Sequence, residues 1–309
     1  MNRVWENAAA IKHASEIMGP HVQIDVNLGV QTTYRVGGDT ALYIEVQTET
    51  DLEAISRARN ETDLPVLVIG KGSNLLVSDM GFSGITVALG KQFETTTIDR
   101  EAASVRAGSN VALPSLARRC VSADLAGFEW AVGVPGSIGG AVRMNAGGHG
   151  GDMAASVEKV HLFDLLASVS RTKTKDEMRF GYRRSAVTRD QVVLGATLQL
   201  EHDKTGRSAK MLSEIVQWRR ENQPGGQNAG SVFVNPEGET SGELLDRLGL
   251  KGFRIGSAQV SSKHANFVQA DPGGSAADVD AVITAVAERV QSETGIVLRT
   301  EIQRIGFEG

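Results

Sequence analysis

Two glycine-rich segments and a few isolated polar residues carry the chemistry this sequence could perform. Residues 133–151 read GVPGSIGGAVRMNAGGHGG and hold eight glycines. Backbone so free of side chains can lie against a flat or charged ligand. Pro135 sets one turn, and Ser137, Asn145 and the exposed N–H groups offer hydrogen bonds. The segment is read as too rich in glycine for a helix. A long loop of this kind is usually functional. The second segment, GKGSN at 70–74, leaves a strand. It fails the dinucleotide fingerprint, because Leu75 stands where a third glycine belongs, and it lacks the Gly-Lys-Ser/Thr triplet of a P-loop. No helix is expected after it. A phosphate there would rest on a nest of N–H groups with the Ser73 and Asn74 side chains; a plain tight turn between strands accounts for the motif as well.

The polar candidates are Arg183 in FGYRRS (180–185), Ser231 in NAGSVFVNP (228–236) and Glu301 near the C-terminus. Each has a bland alternative: a solvated basic turn, a turn serine and an exposed strand face. In the last case Ile296, Leu298 and Ile302 share one side of an expected closing strand, GIVLRTEIQRIG, with Val297, Arg299, Glu301 and Gln303 on the other. The six histidines show no metal-ligand spacing, and no serine sits in a G-x-S-x-G elbow. Neither a metal site nor a hydrolase is expected.

The elements that must position these residues alternate between helix and strand. ALYIEV (41–46), LPVLVIG (64–70), GITVAL (84–89) and SVRAGS (104–109) read as strands, as do the stretches near 157–163 and 192–200. A helix is expected from about residue 50, with Thr50 and Glu53 as its capping box. Leu113, Leu116, Ala117, Cys120 and Val121 recur at helical spacing, with Pro114 in the first turn. This makes Cys120 a small core residue rather than a nucleophile. Further helices are expected near 211–221, 241–248 and after Ser275, where Val279, Val282, Ile283, Val286 and Val290 form one stripe. Residues 201–210 read as a linker. The 309-residue length predicts two or three small domains. A net charge of −5 and an aromatic content of 5% exclude a basic or stacking nucleic-acid surface. One cysteine permits no internal disulfide, and no apolar run is long enough for a signal peptide or a membrane span. A cytoplasmic monomer is expected.

Taken in order, TTYRVGG, GKGSNLLVSD, GVPGSIGGAVRMNAGGHG, FGYRRS, RRENQP, AGSVFVNP, LKGFRIGSAQVSSKHANFV and LRTEIQRIG resemble the UDP-N-acetylenolpyruvoylglucosamine reductases, the MurB family. The resemblance runs from about residue 27 to the C-terminus. It implies an α+β chain with a two-part FAD-binding domain of the vanillyl-alcohol-oxidase type and a C-terminal substrate domain. The expected limits are 1–88 with 299–309, then 89–201, then 202–298. Gly70, Lys71, Gly72, Ser73, Asn74 and Leu75 would cradle the FAD pyrophosphate. Gly133, Pro135, Gly136, Ser137, Gly139, Gly140, Asn145 and Gly147 would line the rest of the cofactor.

The implied reaction uses NADPH to reduce UDP-N-acetylglucosamine enolpyruvate to UDP-N-acetylmuramate, a peptidoglycan precursor. Arg183, Glu301 and Ser231 match the family's cation, carboxyl partner and proton donor. Tyr182, Asn235, Gln259, Ser262, His264 and Asn266 fall at substrate-contacting positions. All three tyrosines, Tyr34, Tyr43 and Tyr182, precede the region where one type of the family inserts a tyrosine-bearing loop, so the chain resembles the shorter type. It departs from the pattern at Val234, where lysine is usual, and at Arg143, His149 and Arg184. Val234 keeps open a flavin oxidoreductase of the same fold with another substrate. A non-catalytic flavin or UDP-sugar binder is the other alternative.

Overall fold

The protein is described here from a computed structural model covering residues 5–307. The chain divides into two compact units. One comprises the residues up to Ile24, Ala41–Lys71 and Ser83–Arg219; the other comprises Asp25–Thr40, Gly72–Phe82 and the residues from Arg220 onward.

In the first unit, helices α1 (Ala8–Met18) and α2 (Glu49–Thr62) accompany a sheet in which all but the first residues of Asp39–Val46 and Phe82–Leu89, and then Val66–Ile69, are neighbours in that order. The last two strands pair in parallel. Leu42, Ile44, Leu52, Ile55, Ile85 and Val87 fill the core between helix and sheet. The capping box of α2 lies two residues earlier than expected, at Thr48 and Asp51. The Asp51 carboxylate accepts from the backbone N–H of both Gln47 and Thr48. A short aspartate at the third helical position therefore serves where a glutamate was sought.

The same unit carries a five-stranded antiparallel sheet ordered Val169–Thr174, Val157–Asp164, Gln191–Gln199, Ser104–Gly108, Thr96–Asp99. The two outer strands are ones the sequence did not reveal. They are short, polar and mostly exposed, so no apolar alternation marks them. Helix α3 (Leu113–Ser122) and the short α4 (Ile138–Met144) share a core with Val105, Ala107, Val160, Leu162, Ala196 and Leu198 of the sheet. Residues 201–210 are ordered rather than a bare linker. They hold a two-residue strand, Glu201–His202, a turn on Asp203, and the start of α5 (Arg207–Asn222). The Asp203 carboxylate accepts from the N–H of Thr205, Gly206 and Ser208, which pulls its pKa well below the usual range.

In the second unit, helices α6 (Ser241–Arg247) and α7 (Ala276–Thr294) pack with a three-stranded antiparallel sheet, Arg254–Ile255, Ala258–Val260 and Val268–Ala270. The expected stripe of α7 is entirely buried. Each such side chain contributes roughly 1.5–3 kcal/mol. Ser275 caps α7 as expected, and the Asp79 carboxylate also accepts from the N–H of Ala276 and Ala277. The closing strand is shorter than the alternation suggested. It spans Gln303–Ile305 and pairs in parallel with Leu75–Val77.

Cys120 is buried in the α3 core, and burial pushes its thiol pKa up to about 12. The thiolate, the reactive form, is therefore scarce at neutral pH. A thiol reagent at pH 8 should label the native protein only at the rate of global unfolding, accelerating as denaturant is added. Rapid labelling without denaturant would contradict a core role.

Candidate active site

The first glycine loop begins at the end of strand Val66–Ile69 and runs into strand Leu75–Val77. The boundary between the units falls inside it, after Lys71. In the first unit, a Cβ on Gly70 would come within 2.5 Å of the Ser137 hydroxyl, and Lys71 lies 3.7 Å from the Glu94 carboxylate. In the second, Gly72 has φ +60°, and a Cβ there would meet the Gln31 carbonyl at 2.3 Å. Glycine is required at Gly72 by packing against backbone and by conformation, whereas at Gly70 a Cβ would displace only the Ser137 hydroxyl. Ser73 is half-buried. Asn74 donates from its side chain to the Glu301 carbonyl at 3.2 Å, while its own carbonyl accepts from Gln303 N–H at 2.9 Å. Leu75 pairs with Gln303.

Residues 133–151 are not helix-free, as the glycine content suggested. Ser137 caps α4 and Asn145 ends it in the left-handed conformation at φ +42°. Ile138, Ala141 and Val142 are buried, so tertiary packing outweighs the low helix propensity of Gly139 and Gly140. Ahead of α4, the buried Glu129 carboxylate accepts from the Ser208 hydroxyl at 2.5 Å and from Gly127 N–H at 2.9 Å. This fixes the start of α5 beside the segment. The glycines differ in what the protein itself asks of them. A Cβ would strike Ser109 from Gly139, Asp152 from Gly147 and the Trp130 ring from Gly151. At Gly133 it would press on Ile215, His149 and Arg219. Gly136 lends its carbonyl to Leu113 N–H, and Pro135 is exposed. Gly140 and Gly148 are different: a Cβ meets nothing closer than 3.7 Å and 4.0 Å, and neither has a positive φ.

Arg183 sits in a two-residue turn closed by reciprocal hydrogen bonds, Gly181 N–H to Arg184 O at 3.0 Å and Arg184 N–H to Gly181 O at 3.1 Å. Its φ is +53°, and its guanidinium donates to the Gly147 carbonyl at 3.1 Å. It also lies 5.3 Å from the ring centre of the exposed Tyr182. These contacts join Arg183 to the glycine segment within one unit.

The second unit joins the other two candidates. Glu301 N–H donates to the Val232 carbonyl at 2.7 Å, next to Ser231, and Val234 N–H donates to the Arg299 carbonyl at 2.9 Å. Ser231 thus precedes a segment paired with the backbone around Glu301, which also holds Asn74. Asn266 clamps this segment: its amide accepts from Phe233 N–H and donates to Phe233 O, both at 2.9 Å. Asn235 accepts from Ser241 N–H at 3.0 Å at the start of α6. Gln259 accepts from the Arg254 guanidinium at 3.1 Å. His264 packs its ring edge-on to Phe267 at 4.8 Å and accepts Asn266 N–H; burial and then Lys251 lower its pKa. Ser262 is exposed. Asn235, Gln259, His264 and Asn266 therefore all have partners inside the protein. Gly148, which was not among the expected cofactor residues, joins Gly140 as an open glycine of the segment, and Asp152 accepts from Asn145 and from Ala155 N–H.

A family model described as the C-terminal domain of UDP-N-acetylenolpyruvoylglucosamine reductase matches residues 222–305, and an FAD-binding domain model matches residues 40–170. A UDP-N-acetylenolpyruvoylglucosamine reductase from Heliobacterium modesticaldum is 41% identical over 90% of this chain and 88% of its own length. One from Gloeobacter violaceus is 40% identical over 94% and 98%. The crystal structure of a reductase of this kind from Thermus caldophilus is 33% identical, with a TM-score of 0.79 over 92% of this chain and 98% of that one. The chain belongs to the UDP-N-acetylenolpyruvoylglucosamine reductase family. Its α+β architecture is that of an FAD-binding oxidoreductase with a C-terminal reductase domain.

The residues present fit FAD. Gly140 and Gly148 are glycines that the reductase fold does not demand, as expected where a flat cofactor passes close to the backbone. Among the described residues, no His, Cys, Asp and Glu cluster could hold a metal, and no helix is long and apolar enough to cross a membrane. Gly140→Ala should raise the stability of the flavin-free reductase by about 0.5 kcal/mol, because alanine is the better helix residue. It should also lower the flavin content of the purified protein, read from the absorbance ratio at 450 and 280 nm. Full flavin content in a stabilised variant would show that the cofactor does not need this space.

Proposed function

We infer that this reductase converts UDP-N-acetylglucosamine enolpyruvate to UDP-N-acetylmuramate at the expense of NADPH, with Ser231, Arg183 and Glu301 as its catalytic residues. The observation that carries the assignment is the pairing of the Ser231 segment with Glu301 through the 2.7 Å bond from Glu301 N–H to Val232 O. Bound FAD supplies hydride transfer from NADPH to the enolpyruvyl C3. Addition at C3 places negative charge on C2 and the adjoining carboxylate. The Arg183 guanidinium, held by Gly147 O rather than left to reorganise, stabilises that charge. The Ser231 hydroxyl then gives its proton to C2. A serine is a weak acid, but an enolate is a sufficient base at hydrogen-bond range. Glu301 supplies the carboxyl group that matches the family's acidic position. Residues 202–298 bind the UDP-sugar, and 70–75 hold the cofactor diphosphate.

The decisive measurement is anaerobic stopped-flow absorbance at 450 nm on flavin reduced with NADPH. Mixing with the enolpyruvyl substrate should return oxidised flavin and yield UDP-N-acetylmuramate. Fast reduction without reoxidation would keep the flavoprotein and overturn the substrate, with Val234 as the reason. Ser231→Ala should leave flavin reduction by NADPH within about twofold and slow reoxidation by roughly 10²–10⁴-fold, the range for a lost general acid. An equal fall in both half-reactions would make Ser231 structural.

A further inference from the structure

We propose that Asn145 is a positioning residue for Arg183, acting through the backbone of the turn that carries it. This rests on the assignment of Arg183 as the cation at the developing enolate. Arginine is poorly suited to its place in this turn. A side chain at φ +53° is disfavoured, and such conformations persist only where the surroundings over-determine them. The turn's own two hydrogen bonds fix its ends but not its place in the protein.

Three contacts from the end of α4 do that. The Asn145 side chain donates to the Gly181 carbonyl at 3.0 Å, the first residue of the turn. Gly147 O receives the guanidinium itself at 3.1 Å. Arg143 O accepts from the Ser185 hydroxyl, just past the turn, at 2.8 Å. Alternate residues 143, 145 and 147 thus grip the segment 181–185 behind, at and beyond Arg183. Asn145 is the member of this set that acts through its side chain, and it is 5% exposed. Its amide cannot be reversed without loss. The oxygen accepts from Ala154 N–H at 2.9 Å, and the nitrogen serves both Gly181 O and the Asp152 carboxylate at 3.2 Å. One amide therefore fixes the glycine segment, the Asp152 turn and the arginine turn together. Its side chain faces the protein, so it differs in kind from the cofactor-lining glycines around it.

Asn145→Asp tests this, since aspartate tolerates the left-handed backbone and can still accept Ala154 N–H. It replaces the donor to Gly181 O with a carboxylate oxygen. Amide hydrogen exchange across 181–186, measured without nucleotide or sugar substrate, should accelerate at least tenfold. Reoxidation of reduced flavin by the enolpyruvyl substrate should slow at least thirtyfold, while reduction by NADPH falls several-fold less. In an Arg183→Ala background Asn145→Asp should produce no further loss of reoxidation rate. The double variant Asn145→Asp/Asp152→Asn removes the carboxylate repulsion but leaves Gly181 O with only its turn donor, Arg184 N–H, and no tie to α4. It should recover the thermal midpoint and not the reoxidation rate. Unchanged exchange, additive losses with Arg183→Ala, or recovered reoxidation in the double variant would overturn the proposal. If the wild-type enzyme itself were not reoxidised by this substrate, the functional assignment would fail, and the exchange measurement would still decide the positioning role.

Discussion

The parallel ladder between Leu75–Val77 and Gln303–Ile305 is the constraint on which the second unit depends. That unit is built from three stretches far apart in sequence. Closing such long loops costs entropy that only a sizeable set of contacts can offset. The ladder supplies backbone hydrogen bonds, and Leu76 and Ile302 join the core formed with α7. Its consequence for chemistry is direct. The ladder begins one residue after Asn74 and two after Glu301, so sheet register fixes the end of the glycine loop against the Glu301 backbone. Asn74 bonds the Glu301 and Gln303 backbone from both its side chain and its carbonyl. A slip of two residues along the ladder would preserve the buried face and destroy this alignment, which is why the flanking hydrogen bonds matter beyond their modest individual strength.

A second principle governs the first unit: side chains are removed from the glycine segment for separate reasons, one of them the positive φ of Gly150. At Gly139, Gly147 and Gly151 the protein's own atoms occupy the space a Cβ would take. At Gly140 and Gly148 that space lies open. Only this last kind points to a ligand, and the sequence cannot tell the kinds apart. Eight clustered glycines announce that something approaches the backbone; the three-dimensional neighbours decide whether it is protein or cofactor.

This also marks how far the sequence was legible. The α7 stripe and the buried face of α3 followed directly from period, because both helices bury one face against a single core. The order of the motifs pointed to the right family, since each short motif is weak alone and their sequence is not. What remained hidden was set by contacts distant in the chain. Helix α4 forms in spite of its glycines because Ile138, Ala141 and Val142 are buried. The strand Val169–Thr174 carries no apolar alternation because it lies at the sheet edge and is largely exposed. Glu301 stands just before a three-residue strand instead of in the middle of a long one, because only Gln303–Ile305 finds a ladder partner.

The asparagines show the limit most clearly. An amide that can recognise a ligand can equally replace a missing backbone partner, with the same donor and acceptor atoms. Asn266 uses both on the Phe233 backbone, and Asn74 uses its donor on the Glu301 carbonyl. Each lies within a motif, or packs on one, that holds candidate site residues. Buried polar atoms must be satisfied, and irregular backbone around a site leaves more of them than regular structure does. An asparagine beside a catalytic serine or a cofactor loop is thus expected for reasons of scaffold alone. The segment after Ser231 is held by Asn266, and the segment 143–154 is held by Asn145, so in each unit an amide turned toward the protein sets the shape of a loop.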